Sequence, residues 1–357
     1  MKKMKKTLFI IPILALILLV PSFAQAAIVD DRYHFADYAT NPNASDYAEW
    51  WFFNFYQSDI KGIIQYSLWD PTVTNQFSFG LMFVSVQRNN STLDLLFPIP
   101  WNYVITSDTS ADLAMGPETI SVTDGVYTIT GYVADLQGNE IAWNLQYIQQ
   151  VQSLNGISQL KTDPSNPNEE MNWNVQMPSA VVYGAIIING ETIMINGARG
   201  YHDHNWGPWK LSNTVWNWFQ TSTTNSAIVG YDFYALNKGQ ITVQLNGKTV
   251  AFNKTQYFVV NYDWITTTSL VDGLPVRFPQ KTAVVAFNKE YTLLLNIKVN
   301  VLETGTVARD YPESGVIWVV MESNAQFTGL LLGHRTCERI NSVGFREYAI
   351  DIPIPFP

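Results

Sequence analysis

Paired turn residues do most to limit what this chain can fold into. Asp124-Gly125, Asn189-Gly190 and Asn246-Gly247 each separate two runs rich in Val, Ile, Thr, Tyr, Phe and Trp, and Gln137-Gly138-Asn139 does so with one residue more. An Asn-Gly or Asp-Gly pair supplies the left-handed backbone that a two-residue hairpin demands. The β-rich runs include Ile63–Trp69, Phe77–Val86, Val126–Val133 and Ile141–Ile148, then Ala180–Ile188, Ile241–Leu245, Lys281–Ala286 and Tyr291–Val301. Beyond residue 26 no helical apolar period lasts more than about two turns. The chain therefore reads as all-β and antiparallel. Its strands exceed the needs of one eight-stranded barrel, so two barrels or sandwiches are expected. The division falls near Pro208–Asn213, giving units of 27–210 and 211–357. The polar stretch Lys161–Asn172 reads as a long loop within the first.

The first 26 residues read as a signal peptide. Lys2, Lys3, Lys5 and Lys6 precede an apolar run from Leu8 to Val20, followed by Ala24-Gln25-Ala26. That order of basic, apolar and small residues marks a cleavable export signal, and the run is short of the roughly 20 residues a spanning helix needs. An exported protein, periplasmic, extracellular or at the cell surface, is the expectation, with no integral membrane segment after cleavage. The formal charge of -9 argues against nucleic acid and anionic membranes as partners. With Cys337 alone, no internal disulfide can form, and a buried structural thiol is expected there. Stability has to come from the core.

The chain has four histidines, and two of them stand in Gly200-Tyr201-His202-Asp203-His204-Asn205-Trp206-Gly207. Strand alternation puts His202 and His204 on one face and Asp203 on the other. Glu49-Trp50-Trp51-Phe52-Phe53 makes both faces of an earlier strand aromatic. One face should fill a barrel while the other meets a second layer. Trp50, Trp51, Tyr201, Trp206, Trp216 and Trp218 are the candidate ligand-binding rings, and Glu49 is either a buried carboxyl or a charged strand end.

These motifs resemble the carotenoid hydratase and AttH-like proteins, a group similar also to kievitone hydratase and fungal Diels–Alder cyclases. The likeness rests on Glu49-Trp50-Trp51, on Gly197 through Gly207, and on Trp216-x-Trp218-Phe219. It implies two tandem lipocalin-like (calycin) β-barrels over essentially all of 28–357. It also implies a His-x-Trp pair, here His204 and Trp206, acting with a downstream Tyr and Asp. Tyr231 and Asp232 are the available partners. They are adjacent where the family spaces them by one, so a shared site would need a bulge or a loop.

Alkene hydration suits these residues. It needs a carboxylic acid that stays protonated near neutral pH, which an apolar pocket favours, and ring faces to stabilise a carbocation. Asp203 or Asp232 is the candidate acid, with His204 activating water or orienting the acid. Asp203 could equally fix a histidine tautomer. The expected partner is a hydrophobic isoprenoid- or polyketide-like molecule, with no cofactor and no metal. A non-catalytic carrier is the first alternative. The second is a metal-dependent hydrolase built on His202 and His204, with Asp232 or His334 as third ligand. No Gly-x-Ser-x-Gly elbow is present. His334 reads as a structural histidine.

Overall fold

The computed structural model describes residues 30–72, 78–89, 91–210, 214–268, 275–299, 305–311, 316–334 and 336–353. The expected signal peptide lies outside them. A single helical turn, α1 (Phe35–Tyr38), precedes a chain that is otherwise almost wholly strand. The first half contains β1 (Tyr47–Gln57), β2 (Ile60–Trp69), β3 (Phe79–Arg88), β4 (Ser91–Pro100), β5 (Val104–Thr106) and β6 (Leu113–Met115). It continues through β7 (Glu118–Thr123), β8 (Val126–Ala134), β9 (Glu140–Gln149), β10 (Leu154–Lys161), β11 (Glu170–Ile188) and β12 (Glu191–Pro208). These form one antiparallel sheet in the order β4-β3-β2-β1-β12-β11-β9-β8-β7-β6-β5, with β10 on β11. It curls into a nearly closed barrel.

The second half contains β13 (Asn217–Thr223), β14 (Ser226–Phe233), β15 (Lys238–Leu245), β16 (Lys248–Asn253) and β17 (Tyr257–Thr268). After these come β18 (Pro275–Phe287), β19 (Tyr291–Val299), β20 (Gly305–Tyr311), β21 (Val316–Gly333) and β22 (Thr336–Pro353). Their order is β16-β15-β14-β13-β22-β21-β19-β18-β17, with β20 on β21, and they curve as a half-barrel. The architecture is the tandem lipocalin-like pair that the sequence suggests.

The turn chemistry accounts for the local topology. Asp124 and Gly125 join β7 to β8 with φ of 51° and 77°, and Asn189 and Gly190 join β11 to β12 with 49° and 82°. Asn246 and Gly247 join β15 to β16 with 49° and 76°. Two consecutive positive φ values define the hairpin turn whose twist matches its strands. Lys161–Asn172 is only partly a loop. Met171 and Asn172 lie in β11, because that strand must extend to pair with Asn205 and Trp206 of β12.

Strand alternation then sorts the aromatic residues. From β1, Trp51, Phe53 and Phe55 enter the first barrel, where Tyr66, Trp143, Tyr147 and many aliphatic chains complete a packed interior. The Tyr66 hydroxyl donates to the carbonyls of Thr119 and Thr130, at 3.1 and 3.0 Å, and accepts the Trp143 indole N–H at 2.9 Å. Phe219, Phe252, Phe278 and Phe327 belong to the second core. A third cluster joins the halves, and we call it the seam. Phe52, Trp173, Tyr201, Trp209, Trp216, Trp218, Phe233 and Phe345 meet there, with Trp50 and Tyr231 at its edge.

Cys337 is exposed, contrary to the buried thiol expected. It pairs with Leu332 on the outward face of the β21–β22 hairpin, so its register excludes it from the core. His334, read as a structural histidine, is exposed in the turn of that hairpin.

Candidate active site

Strand β12 divides its chemistry between its two faces. It runs antiparallel to β1 with Trp51 opposite His204 and Phe53 opposite His202, so the four side chains share the inner face of the first barrel. His204 stacks on Trp51 at 4.4 Å and His202 on Phe53 at 3.9 Å. On the other side of β12, strand β11 slips register three times, between Asn174 and Met177, between Met177 and Ala180, and between Val182 and Tyr183. Bulges of this kind commonly re-aim side chains beside active sites.

The inner face carries a fully buried ionic cluster. Residues 30–34, ahead of α1, are hydrogen-bonded to Trp51 and Glu49 of β1, Tyr127 of β8 and Asn174 and Gln176 of β11, and bring in Asp31 and His34. His204 lies with Nδ1 3.0 Å from Asp31 Oδ1 and Nε2 2.8 Å from Glu49 Oε1. Glu49 also accepts the His34 backbone N–H at 3.1 Å and the Tyr47 hydroxyl at 2.6 Å. Asp31 Oδ2 faces His202 Nε2 at 3.0 Å and accepts the Tyr127 hydroxyl at 2.5 Å. Burial alone would raise both carboxyls. The histidines outweigh it, and Asp31 and Glu49 are both held below the usual carboxylate range. Burial likewise works to lower His204, yet hydrogen bonds to Asp31 and Glu49 push it up to about 9. His204 is thus a cation clamped between two anions.

The outer face carries Asp203, which projects into the seam. Its Oδ2 accepts the Tyr201 hydroxyl at 2.6 Å and the Trp173 indole N–H at 2.9 Å, while Oδ1 has only a 3.4 Å contact from Asn205 Nδ2. Burial pushes this carboxyl up to about 7, although the Tyr201 and Trp173 hydrogen bonds oppose the shift, and the charge of Glu347 adds to it. With Oδ2 accepting from two donors, Oδ1 is the oxygen left to carry a proton when the carboxyl is neutral. Rings surround the acid. Tyr201 meets Trp218 edge-on at 5.5 Å, Phe52 meets Trp218 at 5.6 Å, and Trp173 meets Tyr231 at 5.0 Å.

The residues singled out by sequence therefore occupy three places. His204, Trp51 and Trp206 lie inside the first barrel, where Trp206 stacks on His34 at 3.9 Å. Asp203, Tyr201, Trp50, Trp216, Trp218 and Tyr231 belong to the seam and its edge. Burial pushes the Tyr231 hydroxyl up to about 12, so it stays neutral. Asp232 faces the second half, where it pairs with Lys254 and accepts the Tyr257 hydroxyl at 3.1 Å. Tyr231 and Asp232 sit in unbroken register against β13 and β15 and point to opposite faces.

Sequence reasoning missed Asp31, His34 and Trp173 and left Glu49 open. Only their types, acids and a histidine beside aromatic runs, could have flagged them. A metal ion would find His34, Glu49 and His204 within reach, since their ligand atoms lie within 4.8 Å of one another. The combination of His202 and His204 with Asp232 or His334 does not form such a group among the described residues.

The fold and these two faces define a lipocalin-like double barrel with a buried acid in its aromatic seam. No protein-family model and no curated relative matches the sequence. Solved structures do match. An AttH candidate from Nitrosomonas europaea superposes with a TM-score of 0.62 at 16% identity, covering 84% of this chain and 91% of that one. Kievitone hydratase from Nectria haematococca gives 0.58 at 14%, covering 91% and 94%. CghA gives 0.57 at 11%, covering 87% and 90%. At these identities the likeness establishes the fold.

Proposed function

We propose that this is an exported enzyme that adds water to, or cyclises across, a carbon–carbon double bond of a hydrophobic isoprenoid- or polyketide-like molecule. Asp203 is its acid. The observation that carries this reading is the Asp203 carboxyl, buried among rings that push it up to about 7, with Oδ1 holding only a 3.4 Å contact from Asn205. An acid of that strength is protonated in a useful fraction of molecules at pH 7, as general acid catalysis requires. One structural neighbour, kievitone hydratase, supports the hydration reading.

In hydration, Asp203 Oδ1 would give its proton to one alkene carbon, leaving the cation on the other. The faces of Trp173, Trp218 and Tyr231 would stabilise that cation, each by about 0.5–2 kcal/mol. Water then forms the new C–O bond and loses a proton, which returns to Asp203. The buried Trp209 indole N–H has no acceptor among the described residues and would donate to a substrate oxygen. For the carrier reading, no comparable observation argues.

The test is to incubate the protein with a panel of polyene isoprenoids and prenylated polyketides and follow products by mass. A gain of one water, or an isomer of unchanged mass, is expected from the wild type, with Asp203→Asn slowing it roughly 10²–10⁴-fold. Undiminished turnover in Asp203→Asn would overturn the assignment.

A further inference from the structure

Every imidazole nitrogen of the buried ionic cluster faces an acceptor oxygen. His204 meets Asp31 and Glu49, and His202 meets the Phe52 carbonyl and Asp31, both at 3.0 Å. His34 has Nδ1 3.2 Å from Glu49 Oε1 and Nε2 3.3 Å from Asp30 Oδ2. A neutral imidazole brings one N–H and one lone pair, so each such ring would set a lone pair against an oxygen lone pair. Asp31 and Glu49 are both buried, and neither is paired with a lysine or arginine. Two buried anions require compensation; a protonated His204 supplies part of it in the metal-free protein, and a bound divalent cation would supply it in full.

We propose that this cluster is a structural metal site for a divalent transition ion, zinc by its ligand chemistry, held by His34 Nδ1, His204 Nε2 and Glu49. Two imidazoles and a carboxylate suit zinc. The outer contacts point the same way. The far nitrogen of each ligating ring lies near its own carboxylate, His204 Nδ1 3.0 Å from Asp31 and His34 Nε2 3.3 Å from Asp30, within reach but not aligned as hydrogen bonds. Metal-bound histidines are commonly oriented by such a partner, which takes one N–H and leaves the other nitrogen's lone pair for the metal.

Spacing agrees. Zinc bonds of about 2.0–2.2 Å at tetrahedral angles separate ligand atoms by roughly 3.4 Å. The two imidazole nitrogens now stand 2.8 and 3.2 Å from Glu49 Oε1, so only a small widening is needed. The Tyr47 hydroxyl fixes the other carboxylate oxygen. His34 comes from the segment ahead of α1, whereas Glu49 and His204 come from the barrel wall. The ion would therefore pin that segment to the barrel. It would lie on the face of β12 opposite Asp203, so this site stands or falls independently of the proposed reaction.

The experiment measures bound metal in the purified full chain by mass spectrometry of the elements. Chelation follows, then titration with zinc chloride by calorimetry and by thermal melting. Stoichiometric zinc and a melting temperature that rises on zinc addition are expected. His34→Gln, which alters only the segment ahead of α1, should abolish the zinc-dependent rise while the apoprotein remains folded. Asp30→Asn, at an exposed partner, should weaken zinc affinity about 10–100-fold. A folded wild type that binds no zinc would overturn the proposal. So would zinc binding unchanged in His34→Gln.

Discussion

His204 and Asp203 are consecutive on β12 yet lie on opposite faces of it, the imidazole clamped inside the first barrel and the carboxyl buried in the seam. Strand alternation alone enforces this separation. The GYHDHNWG stretch thus serves two environments, and its members are not one catalytic group. Substitutions at 203 and 204 should separate cleanly, one changing acid chemistry and the other changing the barrel.

Asp203→Asn should show this first, through stability. The folded-state value is raised from 3.8 to about 7, so the stability linked to the proton is fully present below about pH 4 and lost as pH rises through 7. Asparagine keeps an acceptor for Tyr201 and Trp173 without the charge. Relative to wild type, the variant should gain stability between pH 5 and 8, on the order of a few kcal/mol. Urea unfolding at several pH values measures it. A difference that does not change with pH would contradict the buried acid.

Glu49→Ala should be the most damaging single change in the ionic cluster. It leaves the His204 cation buried with one partner removed, a loss that typically costs about 3–5 kcal/mol. In the metal-free protein, the raised value of His204 means that its contribution is intact below about pH 6.5 and lost as pH climbs through 9. Melting curves from pH 6 to 10 should fall through that window in the wild type and be flatter in His204→Ala.

Much of this fold was legible from short-range chemistry. The Asn-Gly and Asp-Gly pairs specify hairpins because two positive φ values leave the backbone little choice, and alternation at 50–53 and 201–206 correctly separates the two faces. The partners across space were not legible. Asp31 and His34 reach the site because the chain ahead of α1 packs against β1 and β12, and Trp173 reaches Asp203 because it pairs with Asn205, the next residue on that face of β12. Neither is encoded in local periodicity. Tyr231 and Asp232 show the converse. Their adjacency warned that they face opposite ways, and no bulge intervenes to bring them together.

Tyr66→Phe should destabilise the first barrel by about 1–3 kcal/mol. It removes the hydroxyl that donates to the Thr119 and Thr130 carbonyls and strands the Trp143 indole N–H. Denaturant midpoints check it. A neutral result would show that water replaces the hydroxyl.

Gly207→Ala should be poorly tolerated for a backbone reason. Gly207 adopts φ of 141°, and a Cβ there would come within 2.1 Å of the Glu170 carbonyl oxygen across the β11–β12 ladder. The strain should cost more than the roughly 1 kcal/mol of an ordinary glycine substitution, and a drop in soluble yield and melting temperature would register it.

The central claim is that Asp203 is a carboxylic acid near neutral pH. Infrared difference spectroscopy reads this directly, by comparing the protonated-carboxyl C=O stretch in wild type and Asp203→Asn across pH 3 to 9. A band present in the wild type, absent in the variant, and lost with a midpoint near pH 7 is expected. A wild-type band that disappears near the ordinary aspartate value of about 4, or one that persists unchanged in the variant, would contradict it.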